Sequence, residues 1–146
     1  MDRRKFIKSS CLTCAGVMGA TWLLESCTSH KYITNVSVNE NKLSVKKSEF
    51  KVLKKEKIIE QKFVLIKINA IPFPIALYKI NENEYKALYL QCTHQGCELA
   101  AHDTLMVCPC HGAEFNPKGE VTNGPAETNL KTFVTSSDDE TIYIQL

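Results

Sequence analysis

The chain has 146 residues, enough for one domain, and its formal net charge of +2 gives no electrostatic case for nucleic acid. Aromatic residues make up 8% and are scattered, which excludes the basic–aromatic interleaving that grips single strands. Seven Cys is high for a cytosolic chain but below a disulfide scaffold, so specific chemistry is expected of the thiols.

In chain order, the N-terminus reads as an export signal. Asp2-Arg3-Arg4-Lys5-Phe6-Ile7-Lys8 resembles the twin-arginine pattern. Ser9 to Leu24 then runs sixteen residues without a charge and is rich in small residues. A membrane span needs about 20 apolar residues, so the run suits a cleaved signal better than an uncleaved anchor, which stays the alternative. Leu24-Glu25-Ser26-Cys27 resembles a lipobox, with Glu25 in place of the usual small residue. Cys27 is therefore expected to carry a lipid, because a lone thiol is a liability in an oxidising compartment. The expected organisation is a signal segment over 1–26, a tether over 27–41 and a folded domain over 42–146. The location expected is the periplasmic side of a bacterial membrane.

Charge is segregated beyond the signal. Residues 28–67 hold ten Lys and four Glu, net +6, whereas residues 68–146 hold four Lys and ten acids, net −6. The basic part adjoins Cys27 and reads either as a solvated tether or as a contact for anionic headgroups. Strands are predicted at Lys42–Val45, Glu49–Leu53, Phe63–Ile68, Ile75–Ile80, Tyr85–Leu90, Thr104–Val107, Thr132–Thr135 and Thr141–Ile144. Pro72, Pro74, Asn81, Asn83, Asn123-Gly124-Pro125 and Ser136 to Asp139 punctuate them. No helical period is sustained after residue 30, so the expected fold is all-β, a sandwich or partial barrel.

Two short blocks carry the chemistry: Cys92-Thr93-His94-Gln95-Gly96-Cys97 and Cys108-Pro109-Cys110-His111-Gly112. Together they hold four Cys and two His, a density that calls for a metal. Zinc could take Cys97, Cys108, Cys110 and His111, giving a zinc-stapled structural lipoprotein. That leaves Cys92 and His94 unused and gives no reason for export. An iron–sulfur centre with mixed ligation would use one Cys and one His from each block.

The blocks resemble the C-x-H-x-G-C and C-P-C-H-G motifs of the Rieske family, in the branch found in quinol-oxidising cytochrome bc complexes and related periplasmic oxidases. Gly124-Pro125-Ala126 resembles the proline loop that covers the cluster in that branch, and Asn129-Leu130 continues the match. The resemblance implies an antiparallel β-sandwich with a small cluster-binding subdomain and a 2Fe–2S cluster as cofactor. It implies Cys92 and Cys108 on a buried iron, His94 and His111 on an outer iron near the surface, and a disulfide between Cys97 and Cys110. Cys11 and Cys14 would leave with the signal, so all seven Cys then have a place.

Two positions depart from the family pattern. High-potential members carry a Ser two residues after the last His ligand and a Tyr two residues further on, both donating hydrogen bonds toward the cluster. Here these are Ala113 and Phe115, which cannot donate. Lost donors lower the potential, so a low-potential, menaquinol-type donor is expected. Gln95 replaces an apolar residue common in quinol-oxidising members. The expected function is one-electron transfer outside the cytoplasm by a subunit of an oxidoreductase. The partners are a quinol-oxidising membrane subunit or another redox enzyme, and a soluble or membrane cytochrome as acceptor. The alternative is the small subunit of a periplasmic molybdenum oxidase. His102-Asp103 reads as a turn.

Overall fold

The structure, a computed structural model, describes residues 32–33, 36–39, 41–54 and 56–146. The export and lipid-attachment readings at 1–26 and Cys27 lie outside the described residues. Among the described residues no helix is long and apolar enough to cross a membrane.

The fold is nearly all-β. Among the described residues fourteen strands run in order: β1 (Tyr32–Ile33), β2 (Ser37–Asn39), β3 (Lys42–Lys46), β4 (Lys51–Lys54), β5 (Lys57–Glu60), β6 (Phe63–Ile66), β7 (Ile75–Lys79), β8 (Tyr85–Tyr89), β9 (Ala100–Ala101), β10 (Met106–Val107), β11 (Glu114–Phe115), β12 (Val121–Asn123), β13 (Thr132–Ser137) and β14 (Thr141–Gln145). A 3-10 turn, Lys47–Phe50, takes the first half of the strand expected at Glu49–Leu53. The eight-stranded sheet has the order β1-β6-β7-β8-β13-β14-β3-β2, the smaller one β12-β11-β10-β9, and β4-β5 is a separate hairpin. β1 pairs with β6 in parallel, while the other ladders are antiparallel, β2 against β3 among them. Ladder pairing thus reaches into 27–41, where polar composition hid two short edge strands.

β13 makes the large sheet fold over on itself. Thr132 and Phe133 pair with β8, and Val134 to Ser137 pair with β14. The inner face so formed buries Val64, Ile66, Ile75, Leu77 and Ala87 against Leu43, Val45, Ile142 and Ile144. The alternate residues of the same strands, Phe63, Leu65, Ala76, Tyr78 and Leu88, are buried on the opposite face beneath the smaller sheet. β6, β7 and β8 are therefore covered on both sides. This explains why they read as unbroken apolar runs rather than alternating ones. Full burial of a side chain such as Leu77 contributes roughly 1.5–3 kcal/mol.

The two layers are joined by a polar contact. The Tyr78 hydroxyl donates to the His102 carbonyl at 2.7 Å. His102 itself lies in a turn, its N–H donating to Leu105 O at 2.9 Å, as the sequence suggests. The chain leaves β8 at Leu90 and enters the first Cys/His block directly, so the most buried strands of the molecule hold the site.

Candidate metal centre

Each Cys/His block is a turn built the same way. The Cys92 N–H donates to Cys97 O at 2.8 Å, and the Gly96 N–H donates back to Cys92 O at 2.9 Å. In the second block the Cys108 N–H donates to Ala113 O at 2.8 Å, and the Gly112 N–H to Cys108 O at 2.9 Å. The offsets from the leading Cys are identical. Both turns close through a glycine in the left-handed region, Gly96 at φ 78° and Gly112 at φ 75°. A side chain there would strain the backbone, which explains glycine at both places.

The turns aim backbone donors at sulfur. The N–H groups of His94 and Gln95 face the Cys92 thiol, and those of Cys110 and His111 face the Cys108 thiol. Cys92 and Cys108 are both 2% exposed and neither is in a disulfide. Burial pushes the Cys92 thiol up. Burial acts the same way on Cys108, but its backbone donors and the Cys92 thiol outweigh it, and the net direction is down. Donors aimed at a sulfur favour the thiolate, the form that binds metal.

The two imidazoles sit outward of the thiols. His94 is half-buried and His111 exposed. Their ring centroids are 4.9 Å apart and the planes lie at 86°. His94 Nδ1 is buried and has no hydrogen-bond partner. An orphaned buried nitrogen is costly unless a bound group satisfies it. A bound metal centre would satisfy it, and the His111 imidazole stands beside the His94 ring.

A disulfide joins the turns. Cys97 and Cys110 are bonded, with a Cα–Cα separation of 6.6 Å. The sulfurs of Cys97, Cys108 and Cys110 lie within 4.8 Å of one another, but two of them are in this bond and offer no thiolate. The zinc ligand set considered from sequence loses half its members. Cys92, His94, Cys108 and His111 remain, and they fit a two-thiolate, two-imidazole group.

The neighbouring segments are tied to these turns. Thr93 Oγ1 donates to Thr128 O at 2.7 Å, pinning the 124–129 loop to the first turn. Ala126 is buried with Cys92 and Cys108, whereas Gly124 and Pro125 are exposed and joined by a cis peptide bond. Ala113 and Phe115 are fully buried in the same cluster of side chains. Gln95 is exposed at the tip of the first turn. A shallow groove of about 360 Å³ beside it is lined by Tyr89, Gln91, Thr93, His94 and Lys131 among others. Sequence reasoning missed the Thr93 and Tyr78 contacts; hydroxyls give no signal until their acceptors, 35 and 24 residues away, are placed.

Comparison with known proteins agrees with this geometry. Fifty-eight residues are 40% identical to the ubiquinol–cytochrome c reductase iron–sulfur subunit of Blastochloris viridis, covering 38% of this chain and 32% of the relative. Fifty-five residues are 40% identical to cytochrome b6-f complex iron–sulfur subunit 1 of Synechocystis, covering 36% and 31%. The chain thus spans about a third of the length of these curated relatives. The plasma-membrane Rieske protein PetC3 of Synechocystis superposes with a TM-score of 0.51 at 30% identity, over 58% of this chain and 87% of that one. The profile of the Rieske [2Fe-2S] domain matches residues 48–134, which include both turns, the disulfide and the 124–129 loop, and the chain belongs to that family.

Proposed function

We propose that this chain passes single electrons outside the cytoplasm, as a subunit or partner of a quinol-oxidising complex with a low-potential, menaquinol-type donor. The observation that carries the reading is the paired turns, with two buried thiols beneath two surface imidazoles and one imidazole nitrogen left unpartnered. Cys92 and Cys108 would hold one iron of a 2Fe–2S cluster, and His94 and His111 the other. When bound, the cluster supplies a one-electron couple, and imidazole ligation raises its potential into the roughly −150 to +300 mV range.

The chain's own residues do the rest. The backbone donors from His94, Gln95, Cys110 and His111 stabilise negative charge on the two sulfurs. The disulfide and the Thr93–Thr128 contact hold the turns in register. His94 and His111, at the surface, give a redox partner close approach. A ligating imidazole keeps a second ring nitrogen that can release or take a proton, as quinol oxidation requires. Relatives named as subunits of ubiquinol–cytochrome c reductase and cytochrome b6-f complexes support quinol oxidation.

The low-potential part of the reading rests on Ala113 and Phe115. Both are buried beside the thiols, and neither has a hydroxyl to donate. A hydrogen bond to a charged group is worth roughly 1.5–3 kcal/mol, and only its difference between redox states moves the potential. Two missing donors then lower it by something on the order of 100 mV. The test is a redox titration of the iron-loaded chain beside Ala113→Ser, Phe115→Tyr and the double variant. Each hydroxyl is expected to raise the potential, the pair most. A wild-type value at the top of the Rieske range, or variants that do not move upward, overturns the menaquinol inference. Stoichiometric zinc in place of about two irons per chain overturns the electron-transfer reading itself.

A further inference from the structure

The strands of the β4–β5 hairpin contribute no buried side chain to the fold. All its described residues are exposed, including Leu53 at 72% and Ile58 at 73%. These two face each other across the ladder, as do Val52 and Ile59. Paired apolar side chains left in water are a cost that an isolated hairpin does not recover within the chain. Basic residues accompany them: positions 46–62 hold seven Lys and three Glu, net +4. Glu60, one of the three acids, is already engaged by Lys79 at 2.7 Å.

The topology fixes where this finger points. Its base is held by the Gln61 N–H donating to Phe50 O at 2.7 Å, with Phe50 buried in the inner core. It therefore projects from the end of the central sheet where β6 starts, β7 ends and β8 starts, at Phe63, Lys79 and Tyr85. Cys92 follows the other end of β8, about five residues or roughly 17 Å along the strand. The hairpin lies at one end of β8, and the first Cys/His turn, with the His pair, follows the other.

We propose that the β4–β5 hairpin is a docking surface for an anionic lipid bilayer, with Leu53 and Ile58 entering the headgroup boundary and Lys51, Lys54 and Lys57 among the phosphates. Apolar insertion combined with basic charge is how a peripheral surface binds anionic lipid. The docked chain presents His94 and His111 away from the bilayer, toward a partner in the aqueous phase; that consequence rests on the electron-transfer reading, whereas the docking itself does not. The full chain is incubated with phosphatidylcholine vesicles and with vesicles containing phosphatidylglycerol. Its lysines are then acylated by a membrane-impermeant reagent and quantified by mass spectrometry. Each well-placed Lys favours the anionic surface by about fivefold, so Lys51, Lys54 and Lys57 are expected to be protected on the anionic vesicles alone. Lys131, in the groove beside His94, stays reactive on both. Leu53→Asp with Ile58→Asp, at exposed positions that leave the core intact, abolishes the protection. Equal labelling on the two vesicle types, protection of Lys131 instead, or protection that survives the double variant overturns the proposal. Iron content of the same samples is read separately, so failure here is distinguishable from failure of the cluster reading.

Discussion

The central strands β6, β7 and β8 carry a different kind of layer on each face. On one side β3 and β14 pack as full strands with a five-residue ladder between them, and their alternate residues Leu43, Val45, Ile142 and Ile144 are buried. On the other side β9, β10 and β11 are two residues each. Two-residue strands cannot be specified by propensity or stabilised by their own ladders. The first layer stands on apolar burial and backbone pairing. The second stands on cross-links: a disulfide, the turns around Cys92 and Cys108, Thr93 to Thr128 and Tyr78 to His102. Rigidity where the chemistry lies is thus imposed by bonds between loops, leaving the loop backbones free to aim N–H groups at sulfur.

The sharpest way to break the contrast is to cut the disulfide. Cys97→Ser is expected to destabilise the second layer by about 3 kcal/mol, the chain-entropy value for a loop of this size. Hydrogen exchange should accelerate across 92–115 and leave β3, β14 and the inner face of β7 protected. Uniform acceleration over both layers would show that the two are a single cooperative unit.

Tyr78→Phe probes the same boundary with a smaller change. It removes the donor to the His102 carbonyl while keeping the ring stacked on Phe63, whose centroid is 5.0 Å away. The expected loss is about 1 kcal/mol, the usual net value of one hydrogen bond. Denaturant unfolding measures it, and the exchange rates of His102 and Leu105 localise it. Burial and the nearby Asp103 charge both push the Tyr78 hydroxyl up, so it remains a donor across the working pH range. No change in stability would assign the contact between layers to packing alone.

The two layers also differ in how much of them the sequence discloses. Phe63 to Ile66, Ile75 to Lys79 and Tyr85 to Tyr89 are legible as strands because burial on both faces leaves them without polar interruptions. β14 is legible because its apolar residues alternate. The second layer discloses its chemistry and conceals its geometry. Cys92, His94, Cys108 and His111 stand out as metal-binding types, yet β9, β11 and β12 escape detection because Ala100-Ala101 and Glu114-Phe115 carry no period. β5 escapes for another reason. Lys57 to Glu60 is exposed throughout, so no core imprints a pattern on it. The Tyr32–Ile33 strand is hidden by its shortness; its pairing depends on β6, over thirty positions away.

The smallest expected effect lies in the first layer and is a function of pH. Asp138 closes the β13–β14 turn: its carboxylate accepts the Glu140 N–H at 2.9 Å, the Thr141 N–H at 2.7 Å and the Tyr143 hydroxyl at 2.8 Å. The Tyr143 donor and these backbone donors hold its carboxyl below the ordinary Asp value of 3.8. A depressed folded-state value means that the unfolded chain binds the proton first as pH falls. The turn's stabilisation is therefore complete above the unfolded value and is lost as pH drops through the folded one, in the acid range below about pH 4. Asp138→Asn keeps an oxygen acceptor for the two backbone donors but removes the charge. Its unfolding free energy should lie slightly below wild type at neutral pH and converge with it in acid, the difference being small because the site is exposed and screened. Urea unfolding between about pH 3 and pH 7 should show a shallower acid limb for the variant. Identical slopes would mean that the turn is held by the backbone and not by the ionised carboxylate. A slope difference accompanied by altered exchange near Cys92 would mean that the two layers communicate through β13.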